Sequence, residues 1–271
     1  MSDPRITLAR EDLADAALQG LVRAERFART TAYRCAVAAT AIRRAPDAAA
    51  EQLDQLLFGE TFRVIETGRG CGWGQSERDG YVGHVWMNDL APGALLATHR
   101  VSALRAYAFS RPDIKSRPLA LLSLNALVAV EAEDGRFLKA EGSGWIAKVQ
   151  LAPVGEVEID PATVAERYLG APYQWGGRES LGLDCSGLIQ QALYACGKAC
   201  PRDSDQQQAL GQAAAPSALQ RGDLVFWKGH VGMMLDGERL IHANAFHMQV
   251  EIEALAQTVI RVGEPVAYRR P

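Results

Sequence analysis

Leu183-Asp184-Cys185-Ser186-Gly187-Leu188-Ile189 is the stretch whose reading decides the fold. Upstream stands Pro172-Tyr173-Gln174-Trp175-Gly176-Gly177, rich in turn formers and aromatics. Downstream, the apolar residues Leu188, Ile189, Ala192 and Leu193 have helical spacing. Asp184 suits the N-cap of that helix, which puts Cys185 in its first turn. Unpaired backbone N–H groups and the helix dipole favour a thiolate there. The stretch alone leaves two readings open, a nucleophile or a buried structural cysteine.

A cysteine nucleophile needs a base, and the base needs an orienting partner. His230 and His242 stand on successive strand-like segments, on either side of the hairpin signal Asp236-Gly237. That connection sets the two imidazoles side by side on neighbouring strands. Taken singly, each histidine reads more readily as a hydrogen-bonded core or edge residue of a strand. His84 and His99 have no such pairing in the sequence and read as surface or strand residues; His247 lies close to His242 in sequence but has no motif to support a role.

Around this centre the chain is read as follows. Pro161 opens a helix over 162–169, ended by Gly170 with Pro172 beyond. After the cysteine helix comes the polar loop Pro201-Arg202-Asp203-Ser204-Asp205-Gln206-Gln207, then a short helix ending near Gly211 and a surface loop over 212–220. Strands are expected at 224–227, 230–235, 239–244, 250–253 and 259–262. Helices followed by a run of strands indicate an α+β domain over 160–271. Residues 1–30 read as an N-terminal arm with a helix over 12–26, from the spacing of Leu13, Ala16, Ala17, Leu21 and Val22. Short strands and glycine-bearing turns fill 31–92 and recur over 95–152. Gly144-Trp145-Ile146-Ala147-Lys148-Val149 mirrors Gly80-Tyr81-Val82-Gly83-His84-Val85, a weak internal repeat. Two small β-barrels or one larger β-domain fit this pattern.

Composition limits the function classes. The chain has 271 residues, 48% hydrophobic and 23% charged, with a net charge of −3. That is an ordinary globular composition with no electrostatic footprint for nucleic acid or an anionic membrane. The first residues are polar and charged, without the apolar core of a secretory signal, and no run is long enough to span a bilayer. The expectation is a cytoplasmic protein. Five cysteines (35, 71, 185, 196 and 200) are an odd number and suit a reducing compartment. Cys196 and Cys200 lack two further ligands at zinc-site spacing, so no metal site is expected.

The segments Pro172 to Gly177 and Asp184 to Gln190, then Pro201-Arg202-Asp203-Ser204 with Gln207, Arg221-Gly222-Asp223-Leu224-Val225-Phe226, His230-Val231-Gly232 and Leu240-Ile241-His242-Ala243, resemble, in order, the motifs of NlpC/P60 cysteine peptidases. The resemblance covers about 160–271. Leu56-Leu57-Phe58-Gly59-Glu60 and Asp79-Gly80-Tyr81-Val82-Gly83 extend it to the form with two bacterial SH3-type domains, represented by γ-D-glutamyl-L-diamino acid endopeptidases. It implies a papain-like catalytic domain behind two SH3-like barrels, with no cofactor. Cys185 would be the nucleophile, His230 its base, His242 the orienting residue and Tyr173 a donor near the oxyanion. The implied substrate is a murein stem peptide, L-Ala-γ-D-Glu-diamino acid, with its free amine held by Asp184 and Tyr81, and by Glu60. Arg202, Asp203 and Ser204 would line the pocket, with Ser186 and Trp175 at its border. The rival readings are an endopeptidase that remodels polymeric wall and a non-catalytic wall- or peptide-binding protein. The sequence leaves the oligomeric state and the preferred diamino acid open.

Overall fold

A computed structural model describes residues 3–271. It divides into two compact units, which meet in sequence between Val154 and Gly155.

The first unit is built almost wholly of strands. Its larger sheet has the order Gln52–Leu57, Ala39–Arg43, Val82–Trp86, Cys71–Ser76, Thr61–Gly68, Thr31–Cys35, Leu90–Pro92. The later segment forms a five-stranded sheet (Pro118–Ser123, Arg105–Phe109, Gly144–Ala147, Phe137–Ala140, Val130–Asp134) and a three-stranded one (Leu127–Val128, His99–Val101, Leu151–Pro153). Among the described residues none of these sheets closes on itself in its hydrogen-bonded order, so the expected pair of small SH3-like barrels is not confirmed. The internal repeat is nevertheless visible in the backbone. A single 3-10 turn, Met87–Asp89, leads into Leu90–Pro92, and the turn Lys148–Gln150 leads into Leu151–Pro153, both strands reading Leu-Ala-Pro. The two halves share a core. Leu57 and Phe58 pack with Val101, Leu122, Val128 and Ile146, and Leu127 N–H donates to the Phe58 carbonyl at 2.8 Å.

The expected helix over 12–26 is absent. Leu13–Asp15 and Arg26–Ala28 are short parallel strands, and only Ala16–Leu18 makes a 3-10 turn. Leu13 and Ala14 are both fully buried, which two adjacent positions of a surface helix would not be. Asp15 accepts from the Ala17 N–H, and Gly20 sits at φ +85°, so the turn ends before a helix can propagate.

The second unit is α+β, as its sequence indicates. Its six-stranded antiparallel sheet has the order Gln212–Ala213, Ala267–Arg270, Leu224–Trp227, His230–Met234, Arg239–Asn244, Gln249–Ala254. The helix Cys185–Ala195 packs on His230–Met234 and Arg239–Asn244. All eleven of its residues are buried, with Leu188, Ile189, Ala192 and Leu193 at 0% exposure, so this is an internal helix rather than an amphipathic surface one. Asp160 caps the preceding helix, Pro161–Glu166, by accepting from Ala162 N–H at 3.0 Å. The strand expected at 259–262 is instead the end of a helix, Leu255–Val262. Leu255 and Val259, four residues apart, share one helix face and pack against Val225, Trp227, Met234 and Leu240. Packing thus overrides the β-propensity of Val259 and Ile260. The fifth long strand is Ala267–Arg270, which pairs with Leu224–Trp227.

Candidate active site

Asp184 sets the geometry of the cysteine. Its carboxylate accepts from Gly187 N–H at 2.8 Å and caps the helix, as the sequence indicates. It also accepts from Gly176 N–H at 2.9 Å, from Arg202 at 2.9 and 2.6 Å, and from Ser186 Oγ at 3.3 Å. Five donors on two oxygens fill the roughly four lone-pair sites a carboxylate offers. Arg202 is 1% exposed and also donates to Ser186 Oγ at 2.8 Å. The pair is therefore a buried, bidentate structural ion pair. Gly187 is required here for space: a Cβ would collide with the Gly177 carbonyl oxygen, so the helix start lies directly on the Trp175-Gly176-Gly177 turn.

Cys185 follows at the first helical position, 7% exposed. Burial pushes its pKa up to about 12, with the Asp184 charge acting in the same direction. The backbone N–H groups of Val231 and Ser186 and the Arg202 charge oppose the rise. The bond from Val231 places the sulfur at the start of the strand that carries His230.

His230 and His242 face each other, with Nε2 of His230 2.8 Å from Nδ1 of His242 and ring centroids 5.0 Å apart. Alternation along the paired strands puts His230, Gly232, Leu240 and His242 on one face of the sheet. Burial, then the neighbouring His242, lowers the pKa of His230 to about 3. Burial lowers that of His242 too, against an upward pull from Glu253. The Cys185 thiol and the His230 imidazole are thus both neutral at rest. Trp227 packs its ring 5.7 Å from that of His230 and donates to the Gly263 carbonyl at 2.8 Å.

The sequence did not single out what lies behind His242. Its Nε2 is 2.7 Å from Glu253 Oε1 and 2.9 Å from Asn244 Nδ2. Glu253 is in turn paired with Arg261 through both carboxylate oxygens. A signal was present. Glu251 and Glu253 alternate with Val250 and Ile252 on the strand paired with His242, and alternation sets both carboxylates on the face of His242. Glu251 is directly opposite, and the diagonal neighbour Glu253 makes the bond. His247 joins at the margin, with Nδ1 3.1 Å from Asn244 Oδ1.

The remaining candidates divide. Tyr173 is half-buried, its ionisation opposed by burial and then by the charges of Cys185 and Asp184, so the phenol stays a donor. Trp175 is 60% exposed. Asp203 caps the short helix Ser204–Gln207 in a capping box with Gln206. Ser204 is buried, and Gln207 donates to the carbonyls of Ser186 and Pro201 at 3.0 and 2.9 Å, tying that helix to the cysteine helix. Tyr81 and Glu60 belong to the first unit, each with a buried side chain. Glu60 accepts from Leu57 N–H at 3.0 Å and lies 3.5 Å from Arg78 Nε.

A thiol at a helix start, with two coupled imidazoles on neighbouring strands, is the equipment of a thiol-dependent hydrolase. Residues 170–262 match the NlpC/P60 family, and residues 42–90 match the bacterial dipeptidyl-peptidase SH3 domain. Over those residues the chain is thus similar to an NlpC/P60 domain, preceded in sequence by a segment similar to a bacterial SH3-type domain. A γ-D-glutamyl-L-lysine dipeptidyl-peptidase of Bacillus subtilis is 26% identical over 76% of this chain and 76% of its own length. A dipeptidyl-peptidase 6 of Lysinibacillus sphaericus is 27% identical over 78% and 86%. The crystal structure of an NlpC/P60 family protein from Bacillus cereus superposes with a TM-score of 0.79 at 21% identity, covering 89% of this chain and 99% of that one, and so shares the fold.

Proposed function

We propose that the chain is a cysteine peptidase that hydrolyses the γ-D-Glu–diamino acid amide of murein stem peptides bearing a free N-terminal L-Ala. The observation that carries this reading is Cys185 at a helix start, bonded to the backbone of the His230 strand, with the His230 and His242 rings at 2.8 Å. The two long relatives, both named as dipeptidyl-peptidases, support the substrate class.

In this mechanism His230 Nδ1 takes the thiol proton as the sulfur attacks the γ-carbonyl carbon. Because the resting groups are neutral, transfer and attack are concerted rather than starting from a standing ion pair. The oxyanion is met by the Cys185 backbone N–H and the Tyr173 phenol. His230 returns its proton to the leaving amine, and a thioester remains on Cys185. Water, deprotonated by His230, then releases the L-Ala-D-Glu product and restores the thiol. Asp184, with its oxygens already filled, acts on the substrate ammonium through its field or by release of the long Ser186 contact. Arg202 and Asp203 hold the loop that presents Ser204. The second half of the first unit is a further SH3-like module, as the repeated turn-strand element supports. The place of action is the cytoplasm, and no metal or organic cofactor takes part.

Cleavage of L-Ala-γ-D-Glu-L-Lys is compared with that of its N-acetylated form. The reading expects free lysine from the first and at least a 100-fold lower kcat/KM for the second. Equal rates would remove the free-amine requirement and favour a wall-remodelling enzyme.

A further inference from the structure

His242 Nε2 is claimed by two side chains that demand opposite protonation. Ionised Glu253 only accepts, so its 2.7 Å contact needs a proton on Nε2. The Asn244 amide nitrogen only donates, so its 2.9 Å contact needs a lone pair there. Asn244 Oδ1 is committed to the His247 N–H at 2.8 Å, which fixes the amide with its nitrogen toward His242. His242 is 1% exposed, so water does not arbitrate.

The choice propagates. With the proton on Nε2, His242 Nδ1 is an acceptor for His230 Nε2–H, and His230 Nδ1 keeps a lone pair. With the proton on Nδ1, His242 becomes the donor in the 2.8 Å bond, His230 Nε2 accepts, and the His230 proton moves to Nδ1. In that form His230 has no lone pair for the thiol. We propose that the Glu253 carboxylate, clamped by Arg261, selects the tautomer of both rings and thereby makes His230 a base. Glu253 is a positioning residue, acting through His242 without touching substrate. Arg261 holds the carboxylate through both oxygens, from the helix that follows the Glu253 strand. The charged or titratable groups acting on the two rings are Glu253, Arg261, Asp184 and His247.

The consequence for rate rests on the peptidase reading, but the tautomer itself does not. It is read by long-range 15N–1H correlation on histidine-labelled protein near pH 7. Wild type is expected to show Nε2–H on both His230 and His242. Nδ1–H on either ring in wild type overturns the proposal without any variant. Glu253→Leu is expected to move the His242 proton to Nδ1 and to lower kcat on the order of 100-fold or more, with KM little changed. In the Glu253→Leu background, Asn244→Leu removes the competing donor and is expected to recover at least tenfold. Retention of Nε2–H on both rings in Glu253→Leu, or a loss of kcat with unchanged tautomers, would show a merely structural role. Should the tautomers behave as stated while Cys185→Ala still cleaves peptide, the peptidase reading fails and this one stands.

Discussion

Replacing Arg202 by Met keeps the length and apolar stem of the side chain and removes its two bonds to Asp184. Arg202 is 1% exposed and the Asp184 side chain 8% exposed, so water cannot substitute for the lost donors. Asp184 would keep two backbone N–H groups and the Ser186 hydroxyl, three donors of five. Two lost bonds to a charged group are worth about 3–6 kcal/mol, and breaking a buried ion pair by deleting one partner costs about 3–5 kcal/mol. The two routes agree on roughly 4 kcal/mol. For a unit of this size each kcal/mol moves the midpoint by about 4 °C, so thermal unfolding followed by circular dichroism should fall by about 12–20 °C. A cycle with Asp184→Asn should return a coupling of at least about 2 kcal/mol. The uncompensated carboxylate would also hold the Cys185 thiol further from ionisation, so kcat should fall even below the unfolding range. A midpoint within about 2 °C of wild type would refute the assignment of this pair as the clasp of the helix start.

Three further expectations follow from the same geometry. With its pKa pushed up to about 12, the Cys185 thiol of the free protein should be alkylated by iodoacetamide about 100-fold faster at pH 9 than at pH 7, whereas a standing thiolate–imidazolium pair would give a flat profile. His230, lowered from 6.5 to about 3, and Glu253, lowered from 4.5 to about 2, both have folded values below their unfolded ones. Their contribution is full above pH 6.5 and is lost as pH falls toward 2–3, so acid unfolding should flatten between pH 6.5 and 3 in His230→Gln. Gly187→Ala should destabilise by roughly 2–4 kcal/mol in chemical denaturation, since the added methyl collides with the Gly177 carbonyl oxygen and the backbone must move.

The second unit was legible where chemistry and local structure agree. Asp184 as a cap, Cys185 behind it and the two histidines across an Asp-Gly turn each follow from short-range rules, and the structure places all of them as read. Legibility failed where tertiary packing decides. Val259 and Ile260 favour a strand locally, yet the sheet residues Val225, Trp227 and Leu240 receive Leu255 and Val259 from one helix face. Leu13 to Val22 has helical spacing, but Gly20 and the Asp15 turn end it after three residues. Glu253 and Arg261 escaped for a different reason. Their role depends on strand register, and a one-residue slip would send Glu253 to the other face. The second role of Asp184 was hidden in the same way, because Arg202 reaches it from 18 residues away.

The most direct measurement is the rate of lysine release from L-Ala-γ-D-Glu-L-Lys by wild type and by Cys185→Ala, with folding of the variant checked by its thermal midpoint. A nucleophilic Cys185 predicts a loss on the order of 1000-fold or more with the fold intact. Full-rate release by Cys185→Ala would contradict it.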